Sequence, residues 1–120
     1  MGQIFKYRRP NGKCPADEIL CGCDPGTRKK FKGAFDAIAN QTGSSYCNNQ
    51  RFKPLQREGK PLWEFKEFRY RLYCHRICIG PFAKIILLSG CQKQGKGKRE
   101  TNEIARAKEL LIEYINQGRN

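Results

Sequence analysis

The stretch that decides the fold is residues 61–92, which read PLWEFKEFRYRLYCHRICIGPFAKIILLSGCQ. Aromatic and β-branched residues are frequent at positions 62–67 and 68–78, and such residues favour pleated strands. Gly80 and Pro81 then mark a turn. The largely apolar run 83–88 predicts a central strand that is covered on both faces. Together these segments predict a three-stranded antiparallel sheet.

The flanking segments on the N-terminal side predict one strand and two helices. Residues 4–8 alternate apolar and basic side chains, as a short strand does, and residues 15–21 predict a short helix. Asp24 and Pro25 predict the start of a second helix, because Asp caps free amides and Pro suits the first helical position. The apolar side chains of that helix recur at spacings of three and four: Phe31, Ala34, Phe35, Ile38 and Ala39.

The C-terminal side predicts a loop and a last helix, whereas residues 44–60 show little pattern and predict a polar connection. Residues 90–99 combine glycines with cations and predict a basic loop. Thr101 can cap a helix whose apolar positions continue to Ile115. The predicted fold is therefore α+β, with an N-terminal strand, two helices, a three-stranded antiparallel sheet and a C-terminal helix, in a single domain over residues 1–120.

The charge balance points to an anionic partner. The chain has 120 residues with 24 Lys plus Arg against 11 Asp plus Glu, which gives a formal charge of +13 spread over both halves. No apolar run approaches the roughly 18 residues that a membrane span needs. The N-terminus shows no apolar core of a signal peptide. We therefore expect a cytoplasmic protein that does not act at a membrane.

The seven cysteines allow two interpretations. An odd number in a cytoplasmic chain argues against a disulfide framework. A structural zinc site could use some of Cys14, Cys21, Cys23 and Cys47, but the spacings do not form two matched pairs. Buried or surface thiols without a metal explain the pattern better, so no metal ligand and no cofactor is predicted.

Alternate residues of a strand point to opposite faces, and this alternation groups the polar side chains of the sheet. The face opposite the apolar one would carry a patch formed by Glu64, Lys66, Arg69, Arg71, Tyr73 and His75. The basic loop can lie at its edge, with Lys93, Lys96, Lys98 and Arg99. Such a patch suits RNA, because cations bind phosphates and aromatic rings stack on unpaired bases. A solvated sheet face with ordinary cross-strand charge pairs is the alternative.

Cleavage of RNA would assign separate tasks to four residues of this patch. Arg71 and Lys93 would stabilise the crowded anionic phosphate, and Lys66 could act as the base. His75 could act as acid or base at neutral pH. Arg69, Tyr73, Lys96, Lys98 and Arg99 would bind the RNA.

Four pieces of the sequence, in the correct order, resemble the RelE/HigB-like toxins of type II toxin–antitoxin systems. They are KPL at 53–55 with GKPLWEFK at 59–66, YRLY at 70–73, IILLSG at 85–90 followed by Lys93, and EIARA at 103–107. The resemblance implies a small α+β toxin that cleaves mRNA at the ribosome without a metal ion and is blocked by a cognate antitoxin. It also places Lys66, Arg71 and Lys93 on the family's basic positions.

The chain departs from the family pattern after the last predicted strand. Many relatives have His-Gly-Phe where this sequence has Ser89-Gly90-Cys91, and Lys-Lys-Thr where it has Lys93-Gln94-Gly95. The identity of the acid–base residue therefore stays open. Two other functions also stay open at this point: a ParE-like toxin that binds DNA gyrase, and a zinc-stabilised nucleic-acid-binding module without catalysis.

Overall fold

The computed structural model describes residues 2–40, 52–55, 62–67, 69–79, 82–92 and 98–117. Five strands and three helices occupy these ranges. In chain order they are β1 (Gly2–Lys6), α1 (Pro15–Gly22), α2 (Pro25–Asn40), β2 (Phe52–Leu55), β3 (Leu62–Glu67), β4 (Tyr70–Ile79), β5 (Phe82–Gln92) and α3 (Lys98–Asn116).

The strands form one mixed sheet in the order β1-β5-β4-β3-β2. β1 pairs with β5 in parallel, and the other three pairings are antiparallel. A parallel neighbour requires a long crossover, and the chain between β1 and β5 contains both N-terminal helices and the remaining strands. The predicted α+β class and the antiparallel arrangement of β3, β4 and β5 are confirmed. The sheet is larger than predicted, since β1 and β2 join it.

Two apolar cores lie on opposite faces of the sheet. One core joins the sheet to α1 and α2 through residues such as Phe31, Phe65 and Leu87. The other joins the sheet to α3 through residues such as Leu88 and Leu111. β5 therefore has helices on both faces, as its apolar run predicts.

The sequence interpretation missed one strand and misplaced several boundaries, including both ends of β1, which was expected over residues 4–8. β2 lies within the predicted polar connection, and its central Pro54 is tolerated because this four-residue strand is at the edge of the sheet. β5 continues through Gly90 to Gln92, and α3 begins at Lys98, so both elements extend into the segment predicted as a basic loop.

The corner between α1 and α2 is held by hydrogen bonds to the ends of both helices. Asp24 caps α2, because its Oδ2 accepts a hydrogen bond from the backbone N–H of Thr27 at 3.0 Å. Arg28 donates from Nε to the carbonyl of Leu20 at 2.9 Å and from Nη2 to the carbonyls of Cys21 and Cys23. These carbonyls close α1, so Arg28 has a structural role in this corner.

Candidate functional site

The register between β3 and β4 brings two predicted site residues together. Lys66 lies directly opposite Arg71, and Glu64 lies directly opposite Tyr73. Residues opposite each other in an antiparallel pair have Cβ atoms about 5 Å apart. The side chain of Lys66 is exposed, whereas that of Arg71 is buried. Two cations are thus adjacent, one at the surface and one beneath it.

One hydrogen bond and one ion pair hold the guanidinium of Arg71. Nη1 donates to the carbonyl of Tyr70 at 2.9 Å, and Nε lies 3.6 Å from Oε1 of Glu64. Both charged side chains are almost fully buried, at 7% and 4% exposed. A buried charge must be paired, because an isolated one is strongly disfavoured. The pair therefore fixes the guanidinium in one place.

The face that carries these residues is not an open surface, contrary to the expected solvent-facing patch. α3 packs on it, mainly against β5 and in part against β4. Tyr73 belongs to the core beneath α3, has no exposed surface, and has its hydroxyl 3.6 Å from Sγ of Cys91. In this arrangement the ring of Tyr73 is not accessible for stacking on a base. The alternation of the strand was predicted correctly, but not the helix that covers it.

His75 lies on the same face but at a distance from the Lys66–Arg71 pair. It is half-buried, lies opposite Leu62 and Ile86, and its ring centroid is 6.5 Å from that of Tyr114 on α3. Four residues along a strand span roughly 13 Å, so His75 is not brought to Arg71.

The other predicted RNA contacts are placed differently. Arg69 is exposed in the turn between β3 and β4, two residues before Arg71. Lys98 and Arg99 belong to the first turn of α3, not to a loop. Lys93 and Lys96 lie outside the described residues.

A cavity of about 350 Å³, for which the sequence contains no signal, adjoins this site where β4 begins and β5 ends. Tyr70 and Gln92 form the last pair between the two strands and both line the cavity. α1 contributes Glu18, and α3 contributes Glu103 and Arg106. Residues so distant in sequence meet there only because α1 and α3 reach past the same end of the sheet.

The cysteines within the described residues give no support to a zinc site. Cys14 and Cys23 are buried, and Cys21 is exposed. Burial raises the pKa of the Cys23 thiol, so this thiol is not predisposed to bind a metal as thiolate. No three His, Cys, Asp or Glu side chains come together as metal ligands in the part of the chain that the structure describes. Cys47 lies outside that part.

Among the described residues, no helix is both long and apolar enough to cross a membrane.

None of the protein-family models matches the chain, and no curated protein matches its sequence.

Proposed function

We propose that this chain is a RelE/HigB-like toxin that cleaves mRNA on the ribosome without a metal ion. The observation that carries the proposal is the direct pairing of Lys66 with Arg71 across β3 and β4. Adjacent cations on two strands offer two contacts to one phosphate group. The guanidinium of Arg71 is already oriented by Glu64, so little freedom is lost when it binds.

The chemistry would be a displacement within the RNA. The 2′ oxygen forms a bond to the adjacent phosphorus while the bond from phosphorus to the 5′ oxygen breaks, which leaves a cyclic phosphate. A base takes the proton of the 2′-hydroxyl, and an acid supplies a proton to the leaving oxygen. Arg71 and Lys93 would stabilise the extra negative charge. Lys66 would act as the base in its neutral form, whose remaining N–H groups can still donate a hydrogen bond to the phosphate. His75, the acid predicted from the sequence, lies roughly 13 Å along β4 from Arg71, so the structure gives no support to it as the proton donor at the same phosphate.

Access to Arg71 would be from the side of Lys66. α3 packs mainly on β5, and Lys66 on β3 stays exposed. A phosphate that meets Lys66 first then lies beside the buried Arg71 side chain, whose exposed 7% is the part that it can contact. Arg69 at the neighbouring turn would bind the RNA backbone, with Lys96, Lys98 and Arg99 as further proposed contacts.

A cognate antitoxin is part of the same proposal. The charge of +13 favours a partner with an acidic segment, because opposite charges speed association and select the partner. Cells that produce the chain alone should stop growing, and production of the antitoxin should restore growth. Normal growth with the intact chain alone would contradict the proposal.

The decisive experiment compares mRNA cleavage on translating ribosomes by the unmodified protein and its variants. Arg71→Ala should lose about a hundredfold in rate, because it removes a cation where charge develops in the transition state. Lys66→Ala should lose less, since its exposed amine is screened by solvent. Arg71→Lys keeps the positive charge that balances Glu64 but lacks the planar guanidinium. It should therefore fold, and its rate of cleavage should lie between those of Arg71→Ala and Lys66→Ala.

Lys29→Ala is the matched control, because Lys29 is an exposed lysine on α2, which packs on the other face of the sheet. It should cleave at the rate of the unmodified protein.

His75→Ala tests the acid: a loss of cleavage rate as large as that of Arg71→Ala in a folded variant would assign the proton to His75. Full cleavage by a folded Arg71→Ala variant would refute the site. No cleavage by the unmodified protein would refute the nuclease and favour the gyrase-binding alternative, which a supercoiling assay measures directly.

A further inference from the structure

The cavity where β4 begins and β5 ends is lined by two carboxylates, and one of their oxygens has no hydrogen-bond donor among the described residues. Oε2 of Glu103 is buried and accepts no hydrogen bond from any described residue, and it lies 3.8 Å from Nη1 of Arg106. Glu18 adds a second carboxylate from α1. A buried carboxylate oxygen without a donor is costly, so this position suits a ligand that brings N–H groups.

The residues of the lining favour a planar ligand that is not an anion. Tyr70, an aromatic residue, and its strand partner Gln92, an amide, both line the cavity. Two carboxylates against one guanidinium make the lining unsuitable for a phosphate. Unpaired bases bind proteins in the complementary way, stacked on an aromatic ring and hydrogen-bonded along their Watson–Crick edge.

Guanine is the base that fits a carboxylate best. Its Watson–Crick edge carries two neighbouring donors, the ring N–H and the exocyclic amino group, and an ionised Glu accepts two parallel hydrogen bonds. We propose that the cavity between α1, α3 and the start of β4 is a guanine-binding subsite, with Glu103 as the residue that selects the base.

The position of the cavity connects this subsite to the proposed cleavage site. Tyr70 immediately precedes Arg71, and the carbonyl of Tyr70 holds Nη1 of Arg71 at 2.9 Å. Cys91, which lies opposite Arg71, also lines the cavity. A base in the cavity would therefore place its own phosphate next to Arg71. In this respect the subsite rests on the proposed function, since it would define which nucleotide lies beside the cut.

The experiment measures binding of free nucleosides to the full chain by nuclear magnetic resonance. Guanosine is compared with inosine, which lacks the exocyclic amino group. The unmodified protein should bind guanosine about tenfold more tightly than inosine, as one bidentate contact predicts. Glu103→Gln should abolish that difference, because one carboxylate oxygen is replaced by an NH2 group, which cannot accept a hydrogen bond from guanine. Glu109→Gln, an exposed change on the same helix, should preserve it.

Equal affinity for guanosine and inosine, no binding of either, or a preference that survives Glu103→Gln would each overturn the subsite. Tighter binding of N-acetylarginine amide than of guanosine would also overturn it, and would assign the cavity to a basic side chain of a protein partner.

The binding assay involves no cleavage, so the two proposals fail separately. A chain that prefers guanosine but cleaves no mRNA keeps the subsite and loses the nuclease. A chain that cleaves mRNA without this preference keeps the nuclease and loses the subsite.

Discussion

Gly90 tests how closely β4 and β5 approach beneath the candidate site. It lies opposite Leu72, and a Cβ atom added to it would overlap the carbonyl oxygen of Arg71. The same Cβ would lie 3.0 Å from Cδ2 of Leu72 and 3.2 Å from the carbonyl carbon of Arg71. Because helices pack on both faces of β5, the strands cannot separate without disturbing a core.

The expected cost of Gly90→Ala lies at the upper end of the range for overpacking. Such changes typically cost about 1–3 kcal/mol, and here the obstacle is backbone, so we expect about 3 kcal/mol. At about 4 °C per kcal/mol for a domain of this size, Tm should fall by about 12 °C. Because the clash is with Arg71 itself, the proposed cleavage of mRNA should fall as well.

Thermal and urea unfolding, followed by circular dichroism, measure this effect. Gly33→Ala is the matched control: Gly33 is exposed within α2, and an added Cβ meets nothing within 4 Å. Since Ala favours a helix over Gly by about 1 kcal/mol, this variant should be more stable than the unmodified protein. An unchanged Tm for Gly90→Ala would refute the close approach and the pairing of Gly90 with Leu72.

Two further changes test how α3 and α2 are held. Glu113→Gln should lower Tm at pH 7, because the Glu113 carboxylate accepts hydrogen bonds from Arg9 and Tyr7. The hydrogen bond from Arg9, and to a lesser extent that from Tyr7, lowers the pKa of Glu113. The stability that Glu113 contributes is therefore complete above the unfolded pKa of about 4.3 and is lost as the pH falls through the folded pKa. Melting curves of both proteins from pH 7 to pH 3 should therefore converge, and a constant difference would contradict the ion pair. Asp24→Ala should lower Tm by about 4 °C, whereas Asp24→Asn, which keeps an acceptor for the Thr27 N–H, should lose less; equal losses would contradict the cap.

Local signals in the sequence were sufficient for most of the helices and strands. Asp24 and Pro25 predict the start of α2, and the structure shows the cap. The apolar run of β5 predicts a strand covered on both faces, and Ile85 and Ile86 contribute to opposite cores. In each case the residues that define the element are neighbours in sequence, so the pattern contains the answer.

The errors arise where a distant segment decides the local structure. The sequence predicts a loop that begins at Gly90, because glycine usually interrupts a strand. It continues β5 instead, since only glycine permits the approach of the Arg71 carbonyl from β4. β2 was missed because four residues around Pro54 have little pattern of their own and are held by pairing with β3.

The candidate site shows the same limit in a different form. Alternation along β4 correctly placed Arg71 and Tyr73 on one face, but the polar and aromatic pattern was interpreted as an open surface. The apolar positions of α3 show that the helix needs a covered face, but they do not identify which side of the sheet it covers. Once α3 lies on β5 and part of β4, Tyr73 becomes core and Lys66, one strand further away, stays exposed. The predicted patch is thereby divided along the border of the helix.

The position of the Glu64–Arg71 pair, at the edge of the region that α3 covers, favours a functional interpretation of the pair. Burial of two charges costs several kcal/mol per ion before their attraction repays it, so a buried pair contributes little net stability. Apolar residues in both positions would fill the space beneath α3 at no such cost. The pair does supply a guanidinium of fixed orientation at the edge of the covered region, beside an exposed lysine. A sheet that needed only to be stable gains nothing from this arrangement, whereas a site that binds a phosphate gains a cation that is already oriented.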